Sequence, residues 1–306
     1  MGFYIREAKT PEALDALFCI RHTIFVEQAK VMAARRRGRI YDRFDAFPDT
    51  INLIAWQQGT AVGGLRLVPA GTVGIPADQH FDFWPHLPED ARVGSASMFC
   101  MDQALDQRAG LTRALVGMFY LRALQRGLTH IVAPINPEME STVVELGYEA
   151  VGPVQTTPDG LVIRPMVLKL QHLKSVKEVM ALVQQQRLTP FLDTFDRAFF
   201  SRGERIITAD APAHEAYVLL SGSVTVRLPH AAPTRSVQTL RPGALLGELA
   251  LLANRTRTAD IVAEEDCDLM VISREEFLRR LQQQPALMSS VLELVAERLA
   301  DTMRTL

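Results

Sequence analysis

The 306-residue chain has little that would staple, anchor or strongly polarise it. Its three cysteines, Cys19, Cys100 and Cys267, stand far apart and show no metal-ligand spacing. That excludes a disulfide framework and points to a reducing, cytoplasmic setting. No uninterrupted apolar run approaches the roughly 18 residues that a membrane span requires. The opening Met1–Glu7 carries charges where a signal peptide needs an apolar core. The histidines have no metal-binding spacing either, so no metal is expected. An excess of either charge is missing too: 33 Lys and Arg against 35 Asp and Glu leave a formal net charge of −2. Nothing therefore draws the whole chain to nucleic acid or to an anionic membrane. Repeats and low-complexity tracts are absent.

What is present is ordinary globular composition and enough length for two cores. Periodicity changes character near residue 172. Before it, strands and helices alternate. Residues 11–28 read as a helix with Pro11 near its start and Leu14, Leu17, Ile20 and Ile24 at helical spacing. Two apolar runs, 51–56 and 61–68, are joined by Gln57-Gln58-Gly59-Thr60 as a hairpin. A strand at 97–101, a polar loop at 102–110, a helix at 111–126, a strand at 129–135, a helix at 138–146 and a strand at 161–170 follow. Residues 171–187 read as a polar connecting helix ended by Pro190. Short strands and turns take over beyond it, and from Pro285 an apolar stripe at Met288, Val291, Leu292, Val295, Leu299 and Met303 marks an amphipathic helix. The expected division is 1–172, a helical linker at 173–194, and 195–306.

The most informative string is Gly247-Glu248-Leu249-Ala250-Leu251-Leu252, followed after a short interval by Arg257-Thr258-Ala259. A glycine permits close backbone approach, amides at the start of a short helix point dipoles at an anion, and a guanidinium pairs with a permanent phosphodiester charge. A carboxylate accepts a ribose hydroxyl proton. An ordinary surface Glu–Arg pair is the alternative for an isolated pair of this kind. The string resembles the cyclic-nucleotide-binding family. The resemblance extends through Phe200-Ser201-Arg202-Gly203-Glu204, the Ser221-Gly222-Ser223 turn and Leu240-Arg241-Pro242-Gly243. It implies a β-roll (jelly-roll) domain in which Arg257 holds the phosphate, Glu248 the ribose 2′-hydroxyl and Thr258 an equatorial oxygen. Gly247, Leu249, Ala250 and Ala259 complete the cassette. The ligand implied is cAMP, or cGMP, since Thr258 can serve either a phosphate oxygen or a guanine amino group. The terminal helix offers Arg298, Asp301 and Thr302 as polar caps for the base, and a surface for a homodimer. Two residues depart from the family pattern: Asp210 stands where glycine is usual, and Thr256 where proline is.

In the first half, Gln107-Arg108-Ala109-Gly110-Leu111-Thr112 lies between a strand and an apolar helix, and small residues there free amides for a diphosphate. It resembles the coenzyme-A loop of the GNAT acyltransferases, with Thr112 in place of the usual final small residue. A polar loop capping a helix is the plainer reading of six residues. The element order matches the GNAT core over about 150 residues, which implies a mixed sheet whose last two strands splay apart around an acyl thioester. The Met101 backbone amide would then polarise the thioester carbonyl. Arg21-His22 with Phe25-Val26, Asp42-Arg43-Phe44-Asp45, and Gly64-Leu65-Arg66-Leu67-Val68-Pro69 resemble the autoinducer synthase and N-acyl amino acid synthase branch. That implies roles for Arg21, Asp42, Asp45 and Arg66 in ordering the acceptor pocket; a structural ion-pair network is the alternative. Ser95 and Met98 stand where lactone synthases carry Glu and Arg, which turns the expectation toward N-acylation of an amine.

Other features weigh less. Arg35-Arg36-Arg37 with Arg39 reads as a solvated loop or as a dock for an acidic acyl carrier protein. Cys100 and Tyr148 read as packing residues or reactive groups, and Phe81-Asp82-Phe83-Trp84 as core or pocket wall. The whole implies an α+β protein: a GNAT acyl-CoA N-acyltransferase fold followed by a cyclic-nucleotide-binding β-roll with a terminal helix. The function expected is cyclic-nucleotide-regulated transfer of an acyl group, from acyl-CoA or acyl carrier protein, to an amino acid or a protein lysine. A non-catalytic sensor whose first domain binds acyl-CoA or a partner protein is the other reading. A transcription factor is disfavoured, because no helix-turn-helix or basic bias accompanies the cassette.

Overall fold

The computed structural model describes residues 2–34, 36–105, 108–158, 160–185, 187–192, 195–228 and 235–305. The side chains of 36, 108, 172, 174–176, 235–237, 298–299 and 301–305 are not described. The chain is α+β and divides into two compact units. One comprises Arg6–Arg108 and Leu115–Val176; the other comprises Met1–Ile5, Ala109–Ala114 and Lys177–Leu306. Among the described residues no helix is long and apolar enough to cross a membrane.

The chain begins with β1 (Phe3–Glu7), α1 (Pro11–His22), β2 (Ile51–Gln57), β3 (Thr60–Pro69) and β4 (Val93–Met101). It continues with α2 (Arg108–Gln125), β5 (His130–Ile135), α3 (Glu140–Glu145), β6 (Tyr148–Ala150), β7 (Gln155–Thr156), β8 (Val162–Lys169) and α4 (Lys174–Gln185). Within the first unit the strands lie in the order β2-β3-β4-β5-β8-β6, with β7 on β8. Every described pairing is antiparallel except β4 with β5. A parallel pair needs a crossover, and α2 supplies it. Helix α1 is capped by Thr10, whose hydroxyl accepts from the Ala13 amide at 3.2 Å, with Pro11 in the first turn. Its inner face puts Leu17 against Ala8 and Ile54. Arg21, one turn on, is buried on the same face.

Several boundaries differ from the periodicity. The helix expected over 11–28 is α-helical only to His22; Thr23–Gln28 is π-helical. Thr23, Ile24 and Val26 are β-branched and crowd the tighter turn. The strand expected at 97–101 begins at Val93. The loop expected through 110 ends earlier, because α2 starts at Arg108, so Arg108, Ala109 and Gly110 are helical. Arg and Ala are good helix formers, and Gly110 gains a packing role described below. Phe83 is core, packed with Ile75, Val93, Val132 and Val167, whereas Trp84 is exposed and its indole N–H donates to Asp78 at 3.1 Å.

The second unit is built from β9 (Asp196–Phe200), β10 (Arg205–Ile207), β11 (Glu215–Ser221), β12 (Val224–Leu228), β13 (Arg235–Leu240) and β14 (Leu245–Leu246). These are followed by α5 (Glu248–Leu252), β15 (Asp260–Ala263), β16 (Cys267–Ser273), α6 (Arg274–Gln283) and α7 (Pro285–Thr305). One sheet runs β14-β11-β16-β9, with Phe3–Ile5 of β1 antiparallel on β9; the other runs β10-β15-β12-β13. Their inner faces share one core, in which Tyr217, Leu219 and Leu269 meet Val224, Leu240 and Ile261. This is the expected β-roll, and α7 buries Leu287 and Val291 at its start. The β11–β12 hairpin turns on Gly222 at φ 91°, where an added Cβ would sit 2.5 Å from the Asp266 carbonyl oxygen. Gly222→Ala is expected to lower stability by about 1–3 kcal/mol, measured as a drop in the urea midpoint of the full chain at unchanged slope.

Candidate functional site

The cassette is assembled by α5 and the segment before β15. Gly247 caps α5 at φ 75°. A Cβ there would lie 2.4 Å from the Arg257 guanidinium, so only glycine lets the arginine cross this backbone. The guanidinium donates to the carbonyl oxygens of Gly247 at 2.8 Å and Glu215 at 2.6 Å. Its backbone is pinned as well: the Arg257 amide donates to Ala211 O at 3.0 Å, and Arg257 O accepts from the Asp210 amide at 2.9 Å. Asp210 holds this turn at φ 62°, a conformation Asp tolerates better than most side chains. Thr256 precedes an arginine that is fixed by its own hydrogen bonds. Burial lowers the Arg257 pKa, while Tyr217, Glu215 and Glu248 pull it back; the group stays charged.

Glu248 is buried as the first residue of α5. With Gly247, Leu249, Ala250, Arg257, Thr258 and Ala259 it borders one cavity of about 270 Å³. Strands β12 and β13 form another wall, and α7 contributes Val295. The side chains of Arg298, Asp301 and Thr302 lie outside the described residues.

The first unit brings its four singled-out charges together. Arg66, on β3, donates to Asp42 through Nη1 at 2.6 Å and Nη2 at 2.8 Å, to Asp45 at 2.9 Å and to the Ser97 hydroxyl at 3.0 Å. Arg21, on α1, donates to Asp45 at 2.9 Å and to the Asn52 side-chain oxygen at 2.7 Å. Both arginines are almost fully buried, Asp45 nearly so, while Asp42 keeps 29% of its side chain exposed. The carboxylates are presented by a 3-10 turn, Arg43–Ala46, in which Asp42 and Asp45 cap each other's backbone. Burial disfavours the charged forms of Arg21 and Asp42. At Asp42 the Arg66 hydrogen bonds and charge prevail, holding its pKa below the usual carboxylate value.

Beside this network β4 carries a bulge. Met98 sits at φ 54° where the β3–β4 register shifts. Pairing of β4 with β5 is confined to Val93–Ser95 against His130–Val132. Beyond Ser95 the two strands part, and Ala96, Ser97, Met98 and Phe99 are half-buried. The Asp102 amide donates to Val62 O on β3 at 2.9 Å. Successive strand amides point to opposite sides, so the Met101 amide is turned away from β3, toward the parted edge. Cys100 is buried, which pushes its thiol up to about 12 even though Arg21 acts the other way; it packs as a thiol. Tyr148 is buried and its pKa is raised by that burial.

Of the string 107–112, Gln107 lies outside the described residues, and of Arg108 only the helical backbone is described. Ala109 is exposed, Leu111 buried and Thr112 half-buried in the first turns of α2. Gly110 is pressed by Phe199, whose ring would lie 2.1 Å from an added Cβ. Its small size therefore serves close packing. The amides of this first turn have no partners within the helix.

Two family models match this chain. The cyclic nucleotide-binding domain matches residues 197–284. The N-acyl amino acid synthase FeeM model matches residues 16–169, half of the chain. The chain belongs to the FeeM N-acyl amino acid synthase family. It is 31% identical over 111 residues to the cyclic AMP receptor protein of Thermus thermophilus, covering 36% of this chain and 51% of the receptor. Among solved structures, FeeM itself, an N-acyl amino acid synthase from uncultured soil microbes, is 18% identical with a TM-score of 0.47, covering 56% of this chain and 92% of FeeM. The CoA-dependent acyl-homoserine lactone synthase BjaI is 20% identical with a TM-score of 0.48, covering 62% and 90%. The chain spans about half or less of the length of the curated relatives it matches. This family member thus joins an acyltransferase fold to a cyclic-nucleotide-binding β-roll.

Several participants carry no motif. Asn52 and Ser97 hold the arginines in strand positions that read as ordinary sheet, and Gln238 and Val295 border the second unit's cavity only through strand pairing and helix placement. The shared carboxylate is the vulnerable point. Asp45→Ala leaves Arg21 and Arg66 short of one buried charge and is expected to cost about 3–5 kcal/mol, read from urea unfolding. Asp42, depressed in the folded state, contributes stability that is fully present above its usual value of 3.8 and is lost as pH falls through the lower folded value. Asp42→Asn is expected to flatten that acid limb of a stability-versus-pH curve.

Proposed function

We propose that this protein is a cyclic-nucleotide-regulated N-acyltransferase, moving an acyl group from acyl-CoA or acyl carrier protein to an amine. Membership of an N-acyl amino acid synthase family favours a free amino acid over a protein lysine as the acceptor. The chemistry is direct aminolysis. The amine nitrogen attacks the thioester carbon, a C–N bond forms, the C–S bond breaks, and the amine proton passes to water as the thiolate leaves. The parted β4–β5 edge is the place for the thioester, with the Met101 amide donating to the oxyanion. Arg21, Arg66, Asp42 and Asp45 form the rigid wall that orients the acceptor. Of the string 107–112, the amides free of the helix's own ladder are those of Arg108, Ala109 and Gly110, and these are the ones that suit a diphosphate.

The observation that carries regulation is β1. Its residues Phe3–Ile5 belong to the nucleotide unit, paired with β9. There the Tyr4 and Tyr217 hydroxyls share a hydrogen bond at 3.2 Å, and Tyr217 donates to Glu215. Since that uses the single Tyr217 proton, Tyr4 donates. The carbonyl of the same Glu215 holds Arg257. Two residues on, the same strand is fastened in the acyltransferase unit: Glu7 pairs with Arg122 at 3.0 Å and the Ala8 amide donates to Asn52 O at 2.7 Å. Asn52 also holds Arg21. A phosphate that draws Arg257 from its carbonyl partners acts at one end of this covalent connection. A nucleotide binding only one conformer, at ~100 times its dissociation constant, supplies a bias of ~2.7 kcal/mol.

The test is acyl-thioester consumption across an amino-acid panel, with and without cAMP. We expect amide product and a rate that changes severalfold with cAMP. In Arg257→Ala, cAMP affinity should fall at least 100-fold and the two rates should coincide. Rates that are identical with and without either cyclic nucleotide in the wild type overturn the regulation; no amide product from any amine overturns the activity.

A further inference from the structure

The cassette accounts for phosphate and ribose, and the base must meet the remaining walls of the cavity. Strands β12 and β13 pair there with Val226 opposite Gln238. Side chains two apart on a strand share a face; Leu240 turns into the core, and Gln238 borders the cavity with it. Val226, Leu228 and Val295 give that side apolar surface for a purine. Among the described residues bordering the cavity, Gln238 is the one polar side chain outside the Gly247–Ala259 cassette.

We propose that Gln238 reads the base and makes the pocket selective for adenine over guanine. The inference rests on the cavity being the cyclic-nucleotide site. A primary amide presents an acceptor and a donor side by side. Adenine offers the complement along one edge, an N6–H donor beside the N7 acceptor, so the amide engages it with two parallel hydrogen bonds. Guanine offers O6 and N7, both acceptors, on the same edge, and leaves the glutamine carbonyl facing a carbonyl. Thr258 beside the phosphate can serve either nucleotide, so among the described residues the choice falls to Gln238. A bidentate amide–base contact corresponds to about tenfold or more in discrimination.

Calorimetric titration of the full chain with cAMP, cGMP and 7-deaza-cAMP, which lacks the N7 acceptor, tests this. Wild type should bind cAMP at least tenfold more tightly than cGMP or 7-deaza-cAMP. Gln238→Leu should weaken cAMP binding about tenfold while moving 7-deaza-cAMP much less. The nearly isosteric Gln238→Glu keeps the acceptor for N6–H and loses the donor to N7, so it should weaken cAMP and narrow the gap between cAMP and 7-deaza-cAMP. The proposal is overturned by cGMP binding as tightly as cAMP, or by Gln238→Leu weakening all three ligands equally. If neither cyclic nucleotide binds at all, the assignment of the cavity itself falls, and this proposal with it.

Discussion

Burying a guanidinium is the constraint around which both halves of this chain are organised. The charge loses its hydration on burial and must be matched by oxygens with suitable geometry. Arg21, Arg66 and Arg257 are each at least nine-tenths buried, but they are matched differently. Arg21 and Arg66 meet formal negative charge on Asp42 and Asp45. The described hydrogen bonds of Arg257 go to two neutral carbonyls. A guanidinium closed by carboxylates is a strut. One held by carbonyls, with a cavity in front of it, retains its attraction for an anion.

That difference separates architecture from ligand binding. In the first unit the charge network ties α1, the 3-10 turn at Arg43–Ala46, β2, β3 and β4 into one rigid wall, next to the place where β4 and β5 part. Rigidity suits a reaction that chiefly requires two substrates to be held in line. In the second unit the described hydrogen bonds of the cassette's guanidinium run to backbone carbonyls, with the charges of Glu215 and Glu248 nearby. Strand β1, like α2 and α4, has residues in both units. Its first residues extend a sheet of the β-roll, and Ala8, just past its end, donates to the Asn52 carbonyl oxygen.

Much of this was legible from residue order. The cassette could be read because its chemistry is local: glycine, carboxylate and guanidinium fall within thirteen consecutive positions, Gly247–Ala259, and each has a geometric reason to be there. The four charges Arg21, Asp42, Asp45 and Arg66 were legible as candidates, though not as one network, since α1, a turn and β3 meet only in three dimensions. Their partners Asn52 and Ser97 left no trace in the pattern, because a polar residue in a strand looks the same whether it faces a buried arginine or water. Gly110 shows the converse. A glycine at a helix start suggests an open phosphate loop, yet Phe199, far away in sequence, occupies the space beside it.

The sequence by itself determined the class of each half and singled out Arg257 as the arginine proposed to bind phosphate, since periodicity and contiguous motifs are properties of neighbouring residues. Only the tertiary structure decided which guanidinium is sealed by carboxylates and which faces a cavity. It also decided where β4 leaves β5, that Met101's amide turns to the parted edge, and that Gln238 borders the pocket. Those outcomes depend on strand register and on contacts between residues far apart in the chain, where a shift of one position moves a side chain to the opposite face.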